Sequence, residues 1–201
     1  MRNLFVTALV FLLAAFVEAP GGLTKEERES AIKYFTETGQ ALADEISSLT
    51  ENQLKWKPSD SVWSVANNVE HLAISEKIIF DWAMSTVKTP ADPSKRSQLK
   101  NTDEQMKSIL VDRSFRVKTQ ESFQPSGQFG SVSAAMVEFK KRRASNMEYI
   151  RTTEDDLRNH YAETPFGLAD SYQVLLFIAG HTMRHTLQIR ELKGHADFPK
   201  N

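Results

Sequence analysis

The chain has no cysteine. That excludes disulfides, thiolate metal ligands and a protein thiol nucleophile, so any soft or redox chemistry has to arrive with a substrate. Net charge is equally scarce: 25 Lys and Arg stand against 26 Asp and Glu, leaving −1. No global field gathers nucleic acid or anionic lipid, and a partner must be recognised locally. No apolar run reaches the roughly 20 residues that a membrane-spanning helix needs. Internal repeats, low-complexity tracts and a clear strand pattern are also missing. What remains is 201 residues, 40% apolar and 25% charged, the profile of one soluble domain with a real core.

The N-terminus carries one positive charge, Arg2, followed by an apolar run from Leu4 to Phe16. Its length suits a secretory signal peptide rather than a span. Val17 and Ala19 supply the small residues before a cleavage point, and Pro20, Gly21 and Gly22 break the helix just after. Residues 1–19 are therefore expected to be a signal peptide, with the protein exported to the periplasm or secreted and no stable membrane span after cleavage. An uncleaved amphipathic helix or short anchor is the competing reading.

Four long apolar-periodic segments follow. Thr24 and Glu27 have capping-box spacing and open helix 1, whose stripe is Ile32, Phe35, Gly39, Leu42, Ile46 and Leu49. Gly39 weakens the helix, which suggests a close approach to a neighbour. Pro58 bars a continuous helix. Helix 2 starts at Ser61 or Ser64 and runs to Thr86. Residues 87–130 hold Pro90, Pro93, Pro125, Gly127 and Gly130 and form a long crossover, with one short helix from Thr102 to Leu110. Helix 3 runs from Ser131 to Thr153. Its Lys140-Lys141-Arg142-Arg143 run fans around the circumference and reads as a solvated face. After the Gly167 turn, Ala169 or Asp170 caps helix 4, which ends at Leu192 before Gly194, leaving 193–201 as a tail. The fold class is all-α, a four-helix bundle over residues 24–192.

Helix 4 contains His181 and His185 in AGHTMRHTLQIRE. Residues four apart leave the same face of a helix, so both imidazoles can share one metal ion. His71, on helix 2, lies inside the other long apolar-periodic segment that carries a histidine. At 100° per residue, Ser64, Asn67, Asn68, Ser75, Ile78 and Trp82 fall within about a sixth of a turn of it. His71 therefore faces a partly polar groove. Three imidazole nitrogens leave a metal position open to water or substrate. Asn67, Asn68, Ser75 and Gln188 are candidates to orient ligands or substrate. No carboxylate marks itself as a general base: Glu70 and Glu76 point away from His71, and Asp81 belongs to later turns. His160 and His195 read as ordinary surface histidines, with an approach to a pocket mouth as the alternative for His160. Arg184 reads as a structural ion pair or as an attractor of an anionic substrate.

The segments Trp63-Ser64-Val65-Ala66 leading to His71-Leu72, the Gly167 turn, and His181-Thr182-Met183-Arg184-His185 followed by Gln188-Ile189 resemble the DinB-like superfamily. That resemblance implies an up-down-down-up bundle with a long crossover between helices 2 and 3. It also implies a divalent metal held by His71, His181 and His185; imidazole suits zinc, nickel, iron and copper alike, and zinc or nickel is the expectation. The activities it implies are transfer of a low-molecular-weight thiol to an electrophile and metal-assisted hydrolysis or isomerisation, with a small molecule as partner. A homodimer through a helix face is expected, and no nucleic acid. A non-catalytic metal- or ligand-binding stress-response bundle and a metal-free interaction module are the rival classes.

Overall fold

The computed structural model describes residues 22–114 and 118–200. The expected signal peptide, residues 1–19, lies outside the described residues.

Helices begin where a polar side chain satisfies their first unpaired N–H groups. Thr24 and Glu27 form the expected capping box before α1 (Lys25–Ile46). A second box, Thr50 with Gln53, starts the short α2 (Glu51–Lys55) inside what the sequence suggests is a plain connection. Ser64, not Ser61, caps α3 (Val65–Val87), and Thr102 with Gln105 opens α4 (Asp103–Val111) in the crossover. Ser131 caps α5 (Val132–Thr152) and Asp170 caps α6 (Ser171–Lys193). Two single 3-10 segments, Pro93–Gln98 and Glu121–Phe123, complete the crossover.

Two expectations need correction here. Helix α1 stops at Ile46, so Leu49 packs from the connection. A two-stranded antiparallel hairpin, β1 (Tyr161–Thr164) and β2 (Gly167–Asp170), precedes α6. Its strands are four residues long, too short to show an alternation. Gly167 has φ 101°, the left-handed region that glycine enters without strain, which is why this turn closes where it does.

Side-chain pairings give the directions of the four long helices. Ala73 and Glu76 meet Arg142, Arg143 and Asn146 in rising order, so α3 and α5 run parallel. Glu27 meets Tyr172 while Glu45 meets Arg190 and Lys193, so α1 and α6 also run parallel. Arg28 reaches the Ile150 carbonyl and Phe35 meets Arg143, and Asn68 meets His185 while His71 meets His181; these pairs run opposite ways. The result is an up-down-down-up four-helix bundle, with the crossover carrying the chain from the end of α3 back to the start of the parallel α5.

Two apolar clusters fill the interior. One is built around Phe35, Ile79, Leu175 and Ile178, the other around Leu42, Leu72, Phe139 and Ile189. Each fully buried side chain of this size adds about 1.5–3 kcal/mol. Between the clusters lies a polar layer of Thr38, Glu76, Arg143, Asn146 and Thr182, all buried and joined by hydrogen bonds. Arg143 thus departs from the expected solvated face: Lys140 and Lys141 are exposed, but Arg143 is 5% exposed and paired with Glu76. The segment after Gly194 folds back on α2, where Trp56 contacts His195 and Phe198 and Gln53 donates to the Pro199 carbonyl. Among the described residues, no helix is long and apolar enough to cross a membrane.

Candidate metal centre

His71 comes from α3, and His181 and His185 from the antiparallel α6 beside it. The three imidazoles converge: His71 Nε2 and His185 Nε2 each stand 3.2 Å from His181 Nε2. One nitrogen from each ring lies within 4.8 Å of the others, an arrangement that could hold a metal ion. Two nitrogens each about 2.0–2.1 Å from a tetrahedral zinc ion stand about 3.3 Å apart, so the two close separations suit a shared cation. The hydrogen-bond chemistry agrees. The His71 Nδ1 atom is 2.7 Å from the Phe123 carbonyl oxygen, which only accepts, so Nδ1 carries the proton and Nε2 turns a bare lone pair towards His181. The set fits a divalent ion.

The electrostatics keep these rings neutral, the form that binds metal. Burial lowers the His71 pKa from 6.5 to about 4, with the Phe123 hydrogen bond pulling weakly the other way. His181 is pushed well below its ordinary range by burial first, then by His71 and Arg184. His185 is pushed down by burial and then by His181, His71, Arg113 and Arg184. His181 keeps a partly exposed edge, but its Nδ1 is sealed from solvent and has no hydrogen-bond partner among the described residues.

Aromatic rings cover the cluster. Trp63 lies 4.8 Å from His71 and 5.9 Å from His185, centroid to centroid, and Phe177 stacks at 5.8 Å on His181. Phe123 adds its ring from the crossover at 6.2 Å from His71. The crossover is held in place by consecutive residues of α3, since Glu70 Oε1 accepts from the backbone N–H groups of Ser126 and Gln128 next to the His71 contact. Two surface grooves lie elsewhere, one between α1 and α4 around Tyr34 and Lys107, the other along residues 118–124. Neither is lined by a histidine.

Of the four polar residues expected to orient ligands, Asn68 touches one directly, at 2.8 Å from His185 Nδ1. The Asn67 side chain accepts from the Ser64 backbone N–H in the capping box of α3, Ser75 donates to the His71 carbonyl, and Gln188 accepts from Arg113. Arg184 donates to the Asp112 carbonyl, a contact that ties the crossover to α6. His195 is exposed, as expected, but His160 is 9% exposed, buried at the base of the hairpin where its carbonyl accepts from Ser171. The Glu76–Arg143 pair went unforeseen because a charged residue carries no sign of its partner in sequence. A signal did exist: both positions fall on the inward side of otherwise apolar stripes. No carboxylate joins the three histidines in the described cluster.

The fold and this cluster together define a four-helix bundle whose facing helices present a three-histidine set able to hold a metal ion. A model of the DinB superfamily matches residues 34–189, and the chain belongs to that superfamily. The chain is also similar in fold to YfiT from Bacillus subtilis, described as "a probable metal-dependent hydrolase with an unusual four-helix bundle topology". The identity is 18%, the match covers 85% of this chain and 88% of that chain, and the TM-score is 0.50. No curated protein sequence matches the chain.

Proposed function

We propose that this DinB-superfamily protein holds one divalent ion, zinc or nickel, through His71, His181 and His185, and acts on a small molecule as a metal-dependent hydrolase or thiol transferase. The observation that carries the reading is the convergence of three neutral imidazoles, with the Nε2 atoms of His71 and His185 each 3.2 Å from that of His181 and no carboxylate in the described set. Bound there, a divalent ion with neutral ligands keeps its full charge and supplies Lewis-acid polarisation, with acidification of water or of a substrate thiol near neutral pH. The chain's own residues prepare the site. The Phe123 carbonyl fixes the His71 tautomer, and the Trp63, Phe123 and Phe177 rings pack against the imidazoles and hold their orientation, with one edge of His181 left partly exposed. The leader read in residues 1–19 makes the working location outside the cytoplasm.

One observation favours a second reading, a non-catalytic metal-binding bundle: aromatic rings cover the histidines and neither described groove reaches them. The deciding experiment screens hydrolysable esters and thiol transfer to an electrophile, using protein loaded with zinc or nickel, stripped with chelator, and reloaded. Turnover that vanishes on stripping and returns on reloading supports the enzyme. A fully loaded protein that turns over neither substrate class supports the binding bundle.

A further inference from the structure

Ser64, Asn68 and His185 form a relay that fixes the protonation pattern of one imidazole. Asn68 is fully buried, and its Nδ2 donates to the Ser64 carbonyl oxygen at 2.9 Å. That carbonyl only accepts, so the amide nitrogen belongs on its side; a flipped amide would press two buried acceptors together. The amide oxygen is thereby turned towards His185 Nδ1 at 2.8 Å. An oxygen there receives a hydrogen, so Nδ1 carries the proton and Nε2 presents its lone pair to the other two rings.

We propose that Asn68 is the positioning residue of the centre, locking His185 as the Nδ1–H tautomer with Nε2 free to bind, through an amide whose own orientation is set by the N-cap of α3. The Ser64 carbonyl serves twice, since it also accepts the Asn68 backbone N–H at 3.1 Å. The geometry of the ring is therefore traced to the first turn of a helix whose capping box, Ser64 with Asn67, fixes where that turn begins. His71 has an equivalent lock in the Phe123 carbonyl. His181 has none among the described residues: its Nδ1 is buried without a partner and its ring rests on Phe177. The three rings are therefore unequal. Two are held by carbonyl oxygens, whereas His181 has only the Nε2 atoms of the other two rings, each 3.2 Å from its own Nε2, as partners.

The consequence for metal affinity rests on the metal reading, but the tautomer does not, and the experiment separates them. In the metal-free protein, long-range proton–nitrogen NMR of the imidazoles is expected to show His185 protonated on Nδ1 in the wild type and to lose that signature in Asn68→Leu. Zinc affinity, measured by competition with a chelator, is expected to fall by about 10–100-fold in Asn68→Leu. Asn68→Asp keeps an oxygen facing Nδ1 and is expected to restore binding to within about tenfold of wild type. A wild-type His185 protonated on Nε2, or unchanged zinc affinity in Asn68→Leu, overturns the proposal. If wild type takes up no zinc while the Nδ1–H signature depends on Asn68, the metal reading fails and the tautomer lock stands. If Asn68→Leu does not fold, the wild-type spectrum and the Asn68→Asp affinity decide by the same criteria.

Discussion

Arg143 and Glu76 meet in the middle of the bundle with their side chains 7% and 1% exposed, and the same guanidinium donates to Thr182, the residue after His181. Asn146 and Thr38 complete the arrangement, so that α1, α3, α5 and α6 share one buried polar layer. Burial pushes the Glu76 carboxyl upward while Arg143 and Asn146 hold it down. Removing one partner leaves the other charge buried and uncompensated, which costs about 3–5 kcal/mol. Arg143→Met is therefore expected to lower stability by about that amount in urea unfolding, and Glu76→Leu likewise. The double variant is expected to lose much less than the sum of the two, because it leaves no orphan charge. Additive losses would show that the two groups do not act as a pair.

The two glycines inside long helices are expected to respond in opposite directions. A Cβ at Gly180 would meet Leu110 Cδ1 at 2.7 Å and Leu110 Cβ at 2.8 Å, with the Tyr34 hydroxyl at 3.2 Å. Gly180 is where α4 sits against α6, and Gly180→Ala is expected to cost about 1–3 kcal/mol by forcing that packing apart. At Gly39 the nearest atom is Phe139 Cε1 at 3.9 Å, an ordinary contact. Gly39→Ala is therefore expected to stabilise by about 0.5–1 kcal/mol through helix propensity. Thermal unfolding of both variants checks the pair, and a stabilising Gly180→Ala would contradict the close approach of α4.

The metal-free protein is expected to weaken in mild acid. Folding keeps His71 neutral down to about pH 4, and burial holds His181 and His185 well below their ordinary range too, whereas in the unfolded chain each gains a proton near 6.5. Between those limits the unfolded state binds more protons, so stability is full above about pH 6.5 and falls as pH drops towards 4. His71 alone accounts for about 3 kcal/mol of the loss. Urea titrations of chelator-treated protein at about pH 7 and about pH 4.5 measure it, and His71→Gln should show a shallower pH dependence by one proton. A stability that does not change across this range would contradict the burial of the three rings.

The sequence carried the bundle and the three histidines because both depend on local regularities. Apolar residues at three- and four-residue spacing mark the faces that must be buried, and the Thr24–Glu27 and Thr102–Gln105 boxes mark two starts that the structure realises. His181 and His185 share a face through helix geometry alone, and His71 sits on the inward side of its own helix. What stayed hidden depends on partners distant in the chain. Arg143 reads as one cation in a run of four until Glu76, 67 residues away, is seen to bury it. Gly39 and Gly180 look alike in sequence, yet α4 from the crossover approaches only Gly180. His160 reads as a loop histidine because the hairpin it leads into is too short to announce itself.

The central claim is that the three histidines bind one metal ion together, and the direct test is elemental mass spectrometry of the protein purified without a polyhistidine tag. Wild type is measured beside His71→Ala, His181→Ala and His185→Ala. The prediction is about one divalent ion per wild-type chain and a loss of it in each variant that still folds. A wild-type protein that carries no divalent metal and takes up neither zinc nor nickel when these are added would contradict it.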